Sequence, residues 1–186
     1  NGNFLVTTKS GAELEARALI IATGTKQVRM GVPGEKEFTM KGLCYSALSY
    51  APLFIDKTAI VIGDDDLALR SAGELATVAK HVYLVCAAKN IQASPLGSKL
   101  EAAGNVTVLK ECEAVEVKGV EFARKLVVKD STGAVKEYQA DGMFVEKALT
   151  PNSSMVADLV KLDERGRIII DGANRTNVPG VFAAGD

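Results

Sequence analysis

Apolar residues fall along this chain in short, nearly continuous runs broken by glycine-bearing turns, the pattern of strands buried on both faces. Ala18-Leu19-Ile20-Ile21-Ala22, Thr58-Ala59-Ile60-Val61-Ile62, His81 to Val85, Val106-Thr107-Val108-Leu109 and Asp141 to Ala148 are the clearest. The first ends at Thr23-Gly24 and predicts a doubly covered strand with another strand beside it. Ahead of it, Phe4 to Thr8 and Leu14 to Arg17 flank Lys9-Ser10-Gly11-Ala12, which predicts a β-hairpin. Thr58 to Ile62 runs straight into Gly63-Asp64-Asp65-Asp66. Leu67, Leu69, Ala72, Leu75, Ala76 and Ala79 then recur at helical spacing. With His81 to Val85 following, these residues predict a βαβ unit.

A second helix over about 94–103 leads into the Val106 to Leu109 strand and repeats the unit. Cys112 to Val117, Lys125 to Lys129 and Val135 to Tyr138 are alternating segments separated by Gly119 and Ser131-Thr132-Gly133, as in an antiparallel three-stranded meander. The fold class is therefore α/β: a doubly wound, Rossmann-like parallel sheet with an antiparallel meander. Residues 25–41, with the turn Val32-Pro33-Gly34-Glu35, read as a linker, and Ser46 to Leu53 as a short helical stretch. Residues 149–166 read as a loop and short helix. Ile168-Ile169-Ile170 and the run from Val181 read as strands.

The 186 residues suffice for one domain, or for one with pieces of another. A formal net charge of −1, with charges scattered, argues against nucleic acid or an anionic membrane and for a small-molecule ligand. Ala18 to Ala22 is too short to cross a bilayer and no charged-then-apolar leader precedes it, so the expectation is a cytoplasmic protein without a membrane partner. The three cysteines, Cys44, Cys86 and Cys112, form no C-x-x-C and read as buried apolar side chains; no metal site is expected. His81, the lone histidine, reads as a strand-entry residue.

Four landmarks stand in a fixed order: Ala22-Thr23-Gly24, Val32-Pro33-Gly34-Glu35, the strand-glycine-helix over 59–76, and Thr176-Asn177-Val178-Pro179-Gly180-Val181-Phe182-Ala183-Ala184-Gly185-Asp186. The last is the most specific. That order resembles the pyridine-nucleotide disulfide oxidoreductases, and within them the thioredoxin reductase type. The resemblance implies that the chain is the middle of a longer parent whose opening G-x-G-x-x-G loop grips FAD. It also implies that 1–41 closes the first FAD-domain segment, 42–148 is a central NAD(P)-binding-like domain, and 149–186 returns to the FAD domain. Thr23, Gly24, Gly185 and Asp186 would line the FAD site of the parent; alone they are not expected to hold FAD. Redox-protein partners such as thioredoxin or ferredoxin, and a homodimer, follow from the same resemblance.

Four departures set this sequence apart from that family. The nucleotide loop needs small residues at three positions, which here hold Gly63, Asp65 and Ala68. Asp65, flanked by Asp64 and Asp66, brings charge to where phosphate must approach. A like-charge contact at ~4 Å costs on the order of 4 kcal/mol at intermediate dielectric, about a thousandfold in affinity. The readings of these aspartates are a Mg²⁺ site or a solvated loop with Asp66 favouring the positive end of the helix, and the second is preferred. After the next strand, Cys86-Ala87-Ala88-Lys89 offers neither an arginine pair nor a ribose carboxylate, so NAD(P) binding loses support. The family dithiol positions fall on Ser46 and Ser49, read as polar residues at a helix start. At 144–148, Glu146 and Lys147 replace a glycine-bearing turn and would obstruct nucleotide or pair with each other on the surface.

Three functions are compatible with these residues. The first is a flavoenzyme of thioredoxin reductase type using another electron donor, such as ferredoxin, or another acceptor. The second is a non-catalytic flavin-binding or protein-interaction homologue. The third is an ordinary NAD(P)H-dependent disulfide reductase with an unusual loop, which needs three separate compensations.

Overall fold

A computed structural model describes residues 3–90 and 94–186. The strands are β1 (Phe4–Thr7), β2 (Glu13–Ala16), β3 (Leu19–Ile21), β4 (Thr25–Gln27), β5 (Leu43–Cys44), β6 (Thr58–Ile62), β7 (His81–Val85) and β8 (Val106–Leu109). They continue as β9 (Cys112–Gly119), β10 (Ala123–Asp130), β11 (Val135–Gln139), β12 (Gly142–Val145), β13 (Leu149–Pro151) and β14 (Val181–Ala183). The α-helices are α1 (Glu35–Phe38), α2 (Asp66–Ala76) and α3 (Pro95–Ala102), with 3-10 turns at Ala51–Phe54 and Ser154–Val156. Two compact units result: Val28–Ala148, and Asn1–Gln27 together with Leu149–Asp186.

The Val28–Ala148 unit is built on a five-stranded parallel sheet in the order β5-β12-β6-β7-β8. Side-chain period two explains why its strands read as unbroken apolar runs. On β6, Ala59 and Val61 join the core beneath α2 and α3, whereas Ile60 and Ile62 join a second core beneath the meander. On β12, Phe144 faces the first core and Met143 and Val145 the second. The two helices thus cover one face, and the antiparallel sheet β11-β10-β9 covers the other. Leu69, Ala72 and Leu75 form the buried stripe of α2, as their spacing predicts.

Residues 29–45 are more ordered than a linker. Glu35, only 3% exposed, accepts hydrogen bonds from Met30 N (2.9 Å), Gly31 N (2.7 Å) and the Tyr45 hydroxyl (2.9 Å), which anchors the turn ahead of α1. Ser46 and Ser49 lie in a turn ahead of the 3-10 element and do not open an α-helix.

In the other unit β1 and β2 form the expected hairpin, and β14 pairs in parallel with β3. Ile21, Val160, Val181 and Ala183 make its small core. β3 is covered on one face only, because Ile20 is 73% exposed. β4 and β13 pair antiparallel, with Gln27 opposite Leu149, where a linker and a loop were expected. Ile168–Ile170 form no strand: Ile168 makes an isolated bridge to Leu162, while Ile169 and Ile170 are exposed.

Candidate functional site

The crevice at the carboxyl ends of β6, β7 and β12 is where an open parallel sheet presents its ligand site, since β6 connects onward to β7 while β12 pairs on its other side. Gly63 opens the turn after β6. A Cβ at Gly63 would lie 2.0 Å from the Glu146 carbonyl oxygen and 2.7 Å from the Ala68 Cβ, so close packing against the residue after β12 demands glycine here.

The three aspartates diverge. Asp64 Oδ1 reaches across to the segment after β7, accepting from Ala87 N at 2.5 Å and Ala88 N at 3.2 Å. Asp65 is the N-cap of α2, its Oδ1 accepting from Leu67 N at 3.1 Å and Ala68 N at 3.2 Å. Asp66 is the first helical residue. The cap is thus Asp65, with Asp66 adding its charge to the first turn. Among the described residues no group of histidine, cysteine, aspartate and glutamate is arranged to hold a metal ion. The amides of Leu67, Ala68, Ala87 and Ala88, which face this crevice's loop ends, all serve carboxylates of the loop itself.

Glu146, directly after β12, is 3% exposed, and its Oε1 accepts from Ala47 N at 2.6 Å. It turns inward and does not pair with Lys147 on the surface, as the sequence had suggested. Burial pushes its carboxyl above the usual carboxylate range and the negative charge of Asp65 adds to this, while the Ala47 amide opposes it. Lys147 lines a cavity of about 260 Å³ with Ile62, Asp64, Val85, Ala87 and Glu113. Ser46 Oγ and Ser49 Oγ lie 3.1 Å apart, hydrogen-bonded to each other.

None of the cysteines is a ready nucleophile. Burial, with Asp64 and Cys112 nearby, pushes the Cys86 thiol up to about 11. Burial likewise raises Cys44 and Cys112. Cys86 is buried, whereas Cys44 and Cys112 are half-buried. His81 begins β7, where its Nε2 and Thr107 Oγ1 are hydrogen-bonded at 2.9 Å and its ring meets Tyr83 edge-on.

In the other unit, Thr23, Gly24, Gly185 and Asp186 come together along one cavity of about 410 Å³, with Asn152, Asp163 and Arg167 among its other walls. Gly24 (φ 62°) and Gly185 (φ 109°) hold left-handed backbone, and a Cβ on either would meet open space. Asn152 ties this wall together, its N donating to Gly24 O at 2.9 Å and its Nδ2 to Thr23 O at 3.1 Å. The sequence motifs singled out these four residues, which line one cavity; they did not disclose the reach of Asp64 or the inward turn of Glu146.

A parallel sheet ending in a glycine turn and helix is inserted between the two passes of a second unit, the architecture of the two-nucleotide-fold class. The chain belongs to the pyridine nucleotide-disulphide oxidoreductase family, whose model matches residues 1–186. It is 38% identical over 183 residues to an alkyl hydroperoxide reductase subunit of Staphylococcus aureus, a match covering 97% of this chain and 36% of that protein. Among solved structures it is similar to the thioredoxin reductase of Streptococcus pyogenes, with TM-score 0.84, 33% identity and coverage of 98% of this chain and 60% of that one. It also resembles a ferredoxin-flavin thioredoxin reductase of Clostridium acetobutylicum, with TM-score 0.54, 26% identity and coverage of 99% and 58%. The chain therefore spans about a third of the length of the curated relatives it matches. No helix among the described residues is long and apolar enough to cross a membrane.

Proposed function

We propose that this chain is the central portion of a cytoplasmic flavoenzyme of thioredoxin reductase type that takes its electrons from a donor other than NAD(P)H, such as a reduced ferredoxin. The observation that carries this reading is the set of carboxylate-to-amide bonds from Asp64 and Asp65. A phosphate entering between the strand ends must displace the Asp64 carboxylate from the Ala87 and Ala88 amides, and it meets the charge of Asp65 and Asp66 beside it. The likeness to a ferredoxin-flavin reductase supports the alternative donor.

FAD fits the other unit. Thr23, Gly24, Gly185 and Asp186 would hold it, the bare glycine backbones allowing close approach to the cofactor. Bound there, FAD supplies one- and two-electron redox chemistry. Arg167, held by Asp163 at 2.7 Å, brings a guanidinium to the same wall, though the carboxylate already neutralises much of its charge. Asn152 would fix the backbone of Thr23 and Gly24 from behind.

At Ser46 and Ser49 no thiol is available for disulfide exchange, so the electron acceptor is not reduced through this turn. That pair also favours a second reading, a flavin-binding homologue without catalysis. Anaerobic spectroscopy on the full-length protein separates the readings. Flavin bleached by reduced ferredoxin and untouched by NADH or NADPH is the expected result. Bleaching by NADPH would establish an ordinary reductase, and a flavin inert to every donor the non-catalytic form.

A further inference from the structure

We infer that Asp64 is a latch across the nucleotide crevice, and that its removal alone re-opens that crevice to an anionic ligand. This rests on the reading that the native chain does not take NAD(P)H. Sequence position singles out Asp65, which stands where the loop needs a small residue. The geometry assigns the blocking role to its neighbour. Both bonds of Asp65 stay within the first turn of its own helix. The bonds of Asp64 instead run from the end of β6 to Ala87 and Ala88, 23 and 24 residues further on, and so join the two lips of the crevice.

Three features show that the latch sits on an otherwise preserved frame. Gly63 keeps its close approach to Glu146, and Gly63 N donates to Val85 O at 3.1 Å, which holds the two strand ends in register. Ala68 remains small and fully buried under the turn. The cavity beside the latch is lined by Ile62, Val85, Lys147 and Glu113 as well as Asp64, so that loss of the Asp64 carboxylate leaves one cation and one anion there in place of an anionic excess. At about 260 Å³ it is smaller than the ~300–1,000 Å³ usual for small-molecule sites, as expected of a crevice closed by a side chain.

The test is calorimetric titration of the full-length protein with ADP and with NADPH, comparing the native protein with Asp64→Ala, Asp64→Asn and Asp65→Asn. Asp64→Ala is expected to bind both at least about tenfold more tightly than the native protein, a change of ~1.4 kcal/mol. Asp64→Asn keeps an acceptor oxygen for the two amides and is expected to gain much less. Asp65→Asn keeps the helix cap and is expected to gain nothing. Equal gains in Asp64→Asn and Asp64→Ala would overturn the latch in favour of simple charge repulsion, and so would a gain confined to Asp65→Asn. If Asp64→Ala melts with the native profile yet binds neither ligand, the latch is wrong and the proposed function stands. Micromolar NADPH binding by the native protein would instead sink the proposed function. Should Asp64→Ala not fold, hydrogen exchange in the native protein decides: slow exchange at Ala87 and Ala88 supports the latch, and exchange at the free-peptide rate refutes it.

Discussion

Glu146 and Ala47, 99 residues apart in sequence, are joined by a 2.6 Å hydrogen bond from the Ala47 amide to a carboxylate that solvent barely reaches. Because burial raises the folded-state pKa, the folded protein holds a proton at pH values where the unfolded chain has released it. The contribution of Glu146 to stability therefore falls as pH climbs from the ordinary carboxylate value through the raised one. Glu146→Gln, which keeps an acceptor for Ala47, should remove that slope and be the more stable of the two at the alkaline end of the range. Glu146→Ala should lose about 1–3 kcal/mol by stranding a buried amide. Urea melts of the three proteins across pH 5–8, a range of about three units in which raised carboxylates titrate, will show whether the signs are opposite.

Asp65 is worth a helix cap. Asp65→Ala is expected to lower stability by about 1 kcal/mol, and Asp65→Asn by much less, because asparagine caps nearly as well. Equal losses in the two variants, read from thermal melts at matched pH, would count against the capping role.

A methyl group at Gly63 would sit 2.0 Å from the Glu146 carbonyl oxygen, a distance no packed carbon tolerates. Gly63→Ala should therefore cost about 3 kcal/mol or prevent folding, since the obstacles are the Glu146 backbone and the short, fully buried Ala68 side chain. Circular dichroism and soluble yield are the simplest readouts, and a native-like melt would mean that the β6 turn moves freely.

The Ser46 and Ser49 hydroxyls already touch at 3.1 Å. The double variant Ser46→Cys, Ser49→Cys is expected to close a disulfide under mild oxidation, because sulfur atoms placed there need to approach by only about 1 Å to bond. Thiol titration of the native-state protein would then count no more free thiols than in the parent chain. Two additional thiols would show that the turn cannot bring the pair together.

The parallel sheet was legible because burial on both faces forces apolar residues at nearly every position of β6, β7 and β12, a signal that survives without any partner in view. The same signal misled at Ile168–Ile170, where three isoleucines in a row find no strand to pair with and two stay exposed. β4 and β13 went unread for the converse reason. Thr25-Lys26-Gln27 and Leu149-Thr150-Pro151 have little apolar pattern, and their strand character comes from meeting each other across the chain. In the crevice, helix-end rules pointed to an aspartate at the start of α2 but to Asp66 through the helix dipole, whereas Asp65 makes the cap. The bond from Asp64 to Ala87 was not readable, because it depends on the spacing of neighbouring strand ends. Gly63 carries a similar lesson: its persistence is explained by the Glu146 carbonyl, so it is evidence of packing and not of a bound phosphate.

Opposite Gln27 in the β4–β13 ladder stands Leu149, so the chain leaves and re-enters its outer unit at points about 4.8 Å apart. Val28–Ala148 is consequently a cassette with adjoining ends. A short hairpin turn could replace it without stretching the remainder, and a foreign domain with neighbouring termini could be spliced in at the same place. One ladder of backbone bonds would make such an exchange of modules structurally simple, and would let the Val28–Ala148 unit diverge while the unit holding Thr23 and Asp186 kept its own constraints.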